Sequence, residues 1–258
     1  SPDGNVVMRF HKDEVAVMRE HALPLAHQAL DTLSKRWQFK PQGPILIEMV
    51  PKHDDFAVRT LGLPGMIGAL GVCFGRVVAL DSPKARPPGE FNWAATLWHE
   101  MAHVITLQMS NQRLPRWLSE GISTFEEKRA RREWGREGDM EFVHAMEQGR
   151  ILSVKNLNSG FTDPRLISLS YYQASLLVEH IVETYGETKL QDLVRSFAKG
   201  IDSEAAIKQA LNVSIEQLQK TFNEFLDKNY SQLRKAMKQV DLPAQGATVD
   251  DLQALGLV

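Results

Sequence analysis

Apolar residues recur near helical spacing between residues 12 and 38, at Val15, Met18, Leu25, Ala29, Leu30 and Leu33, and predict a helix there. Pro24 falls inside this run, where a proline kinks or breaks a helix. Pro41, Gly43 and Pro44 then end it. Ile45 to Val50 is an unbroken apolar stretch but for Glu48, bounded by Pro44 and Pro51, and reads as a short buried strand. Residues 52–60 suit a short helix. Gly62, Gly65, Gly68, Gly71 and Gly75 follow in quick succession. They fit a flexible loop or, equally, a sheet edge that another backbone can approach closely. In the second reading Met66 to Phe74 and Arg76 to Leu80 are strands about a Gly75-Arg76 turn.

Beyond the polar connector Pro83 to Gly89 the periodicity is helical almost throughout. It predicts helices over 91–109, 115–133, 139–149, 169–185, 187–199, 203–211 and 214–237. Pro243 and Gly246 mark the tail from Asp241 as a linker end or loosely docked terminus. The expected class is α+β, with a small sheet lobe over residues 1–90, a helical lobe over 91–240 and a tail over 241–258.

A formal net charge of -2 gives no footprint for nucleic acid. Lys128 to Arg132 and Arg113 to Arg116 sit among acidic residues and read as solvated helix faces. The single cysteine, Cys73, excludes an internal disulfide and any multi-cysteine metal site. No apolar run approaches the ~18 residues of a membrane span. A soluble protein of the cytoplasm or periplasm is expected. The chain begins at Ser1 rather than Met, as a processed or truncated protein would.

The chemistry concentrates in His99-Glu100-Met101-Ala102-His103. Residues four apart share a helix face, so both imidazoles can reach one ion. Glu100 is turned about 100° away, off the ion but near a water on it. Neutral imidazoles suit Zn2+, and the carboxylate stays free to take a proton. Trp93, Leu97, Trp98, Val104 and Ile105 make this helix apolar nearly all round, as in a buried helix. Buried histidines beside a buried carboxylate need partners, and a metal supplies one. A catalytic zinc usually has three protein ligands. Glu120, in Leu114-Pro-Arg-Trp-Leu-Ser-Glu-Gly121, can return opposite the histidines if the two helices form a hairpin. Cys73 is the rival ligand, and its strand-like setting also suits plain core packing. Nothing in the spacing of His144 or His180 marks them out.

These residues resemble the gluzincin metallopeptidases, which carry His-Glu-x-x-His on one helix and a glutamate ligand on the next. The closer likeness is to peptidase-MA-like domains, often found beside tetratricopeptide repeats. The likeness rests on Trp98 to Val104 and on Leu114 to Ser123, and spans roughly residues 60 to 235. It implies a zincin-like fold with the active-site helix between sheet and helical body, and Glu120 as third ligand. Tyr171 to Gly186 resembles the tyrosine-bearing helix of the aminopeptidase N family. That likeness implies Tyr171 as the oxyanion donor, with Tyr172 as fallback. It also implies an edge strand near Ala69, Gly71 and Val72 that pairs with an extended peptide. The aminopeptidase Gly-x-Met-Glu-Asn motif is missing, which argues against a dedicated aminopeptidase. The 16 residues between His103 and Glu120 make a shorter connection than in that family. The expected function is a zinc peptidase acting on peptide or protein substrates, with flanking tetratricopeptide repeats as possible neighbours. The alternatives are a non-catalytic scaffold and a zinc hydrolase of a non-peptide bond.

Overall fold

The computed structural model describes residues 4–62, 68–135 and 138–239. The first predicted helix spans Val15–Arg36 (α1). Its buried stripe is Met18, Ala22, Ala26, Ala29 and Leu33, whereas Val15 is exposed. The small alanines, rather than the larger residues that suggested the helix, carry the contact. Pro24 does not interrupt α1. Pro24 and Glu20, four residues earlier, are both exposed, so the carbonyl that loses its partner lies on the solvent side, where water can satisfy it.

The described strands are Val6–Arg9 (β1), Ile45–Val50 (β2), Gly71–Cys73 (β3) and Val77–Asp81 (β4), in the sheet order β1-β2-β4-β3. β1, β2 and β4 run parallel, and β3 returns antiparallel to β4 at the edge. The strand expected from Met66 therefore begins, within the described residues, only at Gly71. Met66 and Ile67 lie outside them, as does the tail assigned to 241–258. β1 has no counterpart in the sequence reading. Four residues long, it is held by parallel pairing across α1, from Val6 with Ile45 to Arg9 with Glu48, a non-local pairing that local pattern does not carry. Ile45, Ile47, Val78 and Leu80 are buried on one face and join α1 and the helices behind in one core. On the other face Val50 and Ala79 pack on Phe56 of helix His53–Leu61 (α2).

The helical body is formed by Trp93–Met109 (α3), Arg116–Ala130 (α4), Asp139–Glu147 (α5), Ile167–Tyr185 (α6), Glu187–Phe197 (α7), Ser203–Leu211 (α8) and Ile215–Gln239 (α9). The helix expected to reach residue 133 stops at Ala130, and a short 3-10 turn, Arg132–Trp134, follows. A second such turn, Leu157–Thr162, fills what pattern left as a connector. The fold is α+β. Among the described residues no helix is long and apolar enough to cross a membrane.

α3 lies between the sheet and the other helices, touching β3, β4, α1 and α4. Asn92 caps it by accepting from the Ala95 N–H at 3.1 Å. Leu97, Met101 and Ile105 on it are fully buried, and each such side chain stabilises the fold by about 1.5–3 kcal/mol. Burial of this kind holds in place a helix that also buries His99, Glu100 and His103.

Candidate metal centre

The connection from Met109 to Arg116 turns through Asn111 and Gln112, both in left-handed backbone conformation, and folds α4 back along α3. α4 then packs on α6 with almost no gap at one point. A methyl group added at Gly121 would stand 2.7 Å from the Ala174 carbonyl oxygen. The glycine after Glu120 is thus required by helix packing. Tyr171 lies one turn before Ala174 on α6.

His99, His103 and Glu120 come together. His99 Nε2 and His103 Nε2 are 3.1 Å apart, and Glu120 Oε2 lies 3.2 Å from the first and 3.4 Å from the second. Ligand atoms on a tetrahedral zinc with bonds of ~2.0–2.1 Å stand roughly 3.3–3.4 Å from one another. The triangle therefore has the size of one face of such a tetrahedron. It is the one cluster of this kind among the described residues.

The outer ring nitrogens are also held. His99 Nδ1 lies 2.6 Å from Glu127 Oε1, and His103 Nδ1 lies 3.0 Å from Ser119 Oγ. With the Nδ1 hydrogens donated outward, both Nε2 lone pairs face inward. Glu127 is absent from the sequence reading, although it follows Glu120 by seven residues and so shares its face of α4. Behind α4, Glu126 bonds Arg36 and accepts from Trp37 Nε1 at 3.1 Å, fixing the helix against the end of α1.

The electrostatics follow from burial. In the metal-free site burial works against charging His99, but its bonds to Glu120 and Glu127 outweigh it and lift its pKa to about 10, so an ion entering the triangle would displace a proton from Nε2. Burial also works to raise Glu120, yet the hydrogen bonds and charges of His103 and His99 hold it well below the usual carboxylate range. Burial pushes Glu100 up, against the opposing charges of His103 and His99. Glu100 Oε2 is buried and has no hydrogen-bond partner among the described residues. An unpaired buried carboxylate oxygen is costly. It marks a place for a donor, such as the water that a metal in the triangle would carry.

The remaining candidates separate cleanly. Tyr171 turns its ring toward His99, with centroids 6.4 Å apart. Tyr172 points elsewhere, its hydroxyl bonding Asp139 and lying 3.1 Å from that of Tyr230. Cys73 Sγ accepts from the Gly75 N–H at 3.3 Å. Burial pushes its thiol up, which disfavours the thiolate a metal needs. His144 is exposed on α5 beside Gln148. His180 bonds Thr221 and Thr184 in the core. Gly71 lies directly against Glu100, where an added methyl would stand 2.5 Å from Oε1. Ala69 and Val72 pack instead on the Val50, Phe56 and Ala79 cluster. In the first basic run Lys128 pairs with Glu179, and Arg129 with Glu126 and Glu187.

The family model of the peptidase MA superfamily matches residues 85–228. The chain belongs to this superfamily. The matched segment takes in α3, α4 and α6 and begins just after the sheet. No curated protein matches the chain significantly. Peptidase MA domains are characteristically metal-dependent, and the His-His-Glu cluster supplies a suitable donor set in this one.

Proposed function

We propose that this domain is a zinc metallopeptidase of the gluzincin type. The observation that carries the proposal is the triangle of His99 Nε2, His103 Nε2 and Glu120 Oε2, with edges of 3.1 to 3.4 Å, next to a buried carboxylate oxygen without a partner. His99, His103 and Glu120 would hold the zinc, which supplies a Lewis acid and a water acidified toward neutral pH. Glu100 takes the water's proton at Oε2 and later delivers it to the leaving amine. In the metal-free site burial raises its pKa, the direction that favours taking up a proton. Tyr171 donates a hydrogen bond to the carbonyl oxygen as it gains charge. An extended peptide would pair with the free edge of β3, which ends the sheet order among the described residues. Ala69 and Val72 would contribute backbone there, because their side chains face away from Glu100.

Replacement of Glu120 by alanine is expected to cost most of the bound zinc, while the wild-type protein carries one ion per chain. Elemental analysis after gel filtration reads both, and full occupancy in Glu120→Ala refutes the ligand set. A mixed peptide library, read by mass spectrometry with and without chelator, tests the activity. Cleavage that survives complete zinc removal is incompatible with the mechanism.

Glu127 holds His99 without touching the ion. Glu127→Ala should bind zinc ~10–100-fold more weakly, the usual cost of losing such an outer partner, measured by competition with a chromophoric chelator. Affinity equal to wild type would show that packing alone orients His99.

A further inference from the structure

Glu120 has two oxygens, and only Oε2 faces the histidines. The other faces Arg116, one turn earlier on α4 and half exposed, whose Nε makes an ion pair with Glu120 Oε1 at 3.5 Å. Arg116 is itself seated: Nη1 donates to the Phe161 carbonyl at 3.3 Å, and its guanidinium carbon stands 5.6 Å over the centre of the Phe161 ring. Phe161 is buried, and its ring meets that of Tyr171 at 5.1 Å, edge to face. The 3-10 turn that carries Phe161 is fastened at two points just before it. Asn158 accepts from the Trp117 N–H at 3.2 Å on α4, and Gly160 packs closely on the side chains of Ser170 on α6 and of Leu152.

We infer that Arg116, seated on Phe161, is a positioning residue that reserves Glu120 Oε1 and leaves Oε2 as the sole oxygen offered to the metal. A free glutamate can present one or both oxygens to an ion, since carboxylates bind either way. The guanidinium is planar and always charged, with donors in a fixed fork. Held against Phe161, it gives the carboxylate one orientation. A single-oxygen Glu120 keeps the protein donor atoms at three and the rest of the coordination sphere open for substrate, as catalytic zinc sites require. Phe161 touches Tyr171 as well, so one turn sets both the third ligand and the candidate oxyanion donor. This inference rests on the zinc-site reading above.

The test uses the whole protein with Zn2+ and Co2+ alone, without substrate. Wild type, Arg116→Ala and Arg116→Lys are freed of metal and titrated against a competing chelator, and the visible spectrum of each cobalt form is recorded. Cobalt bands report coordination number and geometry. Arg116→Ala is expected to bind one ion per chain about tenfold or more weakly, on the scale of outer-partner losses. Its cobalt bands should weaken toward those of a higher-coordinate site. Arg116→Lys, which keeps the charge but not the fork, should fall between the two in affinity. An Arg116→Ala protein identical to wild type in both affinity and cobalt spectrum overturns the inference while leaving the zinc site intact. Wild-type protein that takes up no stoichiometric ion overturns the zinc reading itself. Should Arg116→Ala fail to fold, Arg116→Gln keeps the stem on Phe161 without the charge, with the same expected and overturning results.

Discussion

Glu100→Gln leaves one zinc per chain bound and peptide hydrolysis reduced by at least ~10²–10⁴-fold, the range that a positioned acid–base group contributes. The substitution is nearly isosteric. It leaves the triangle of His99, His103 and Glu120 untouched, because Glu100 makes no bond to any of the three. It removes a buried carboxylate oxygen that lacks a partner among the described residues and can take up a proton. A second effect follows from the same geometry. Burial raises the Glu100 pKa, so in the metal-free protein the folded state is penalised for carrying that charge above the group's unfolded pKa. Stability from this group therefore falls as pH rises through the carboxylate range, and a neutral amide relieves the penalty. Metal-free Glu100→Gln should melt at the same temperature as wild type or higher at neutral pH, the familiar exchange of activity for stability. Elemental analysis, single-turnover peptide cleavage and a thermal melt read the three outcomes. Turnover within tenfold of wild type would remove Glu100 from the mechanism.

What the sequence made legible is what depends on local spacing. His99 and His103, four apart on a helix apolar all round, announce both their shared face and their burial. Ile45 to Val50 announces a strand through its proline boundaries, and the structure has that strand with the same ends. Glu120 needed the hairpin, which the short connection after Met109 supplies. Other features depend on what is far away in the chain. β1 exists because β2 pairs with it across α1. Arg116 reads as one more residue of a solvated basic run until Phe161, 45 residues on, gives it a seat. Glu127 was within reach, since the same face of α4 that carries Glu120 carries it too. The glycine-dense stretch left loop and sheet edge equally open because glycine is compatible with both, and the structure resolves its described end as an edge strand.

That edge strand yields the other large effect. Gly71→Ala is expected to lower peptide cleavage by ~10²-fold, the scale of a 1 Å misplacement of a catalytic group, with zinc content unchanged. A methyl at Gly71 would stand 2.5 Å from Glu100 Oε1 and 2.9 Å from its Cγ and Cδ, distances real contacts do not tolerate. Glu100 is buried on a helix packed on every side, so its carboxylate must swing away from Gly71, and with it the proton acceptor. The three atoms nearest to the added methyl all belong to Glu100, and the three ligands should hold the metal as before. Gly68→Ala is the matched control, because a methyl there meets nothing within 4 Å among the described residues, and it should cleave peptide at the wild-type rate. The pair separates two uses of glycine in one stretch, room for a neighbour and mere chain freedom. Unchanged cleavage in Gly71→Ala, with Glu100→Gln inactive, would mean that β3 yields to the added methyl and that the base does not depend on the strand for its position.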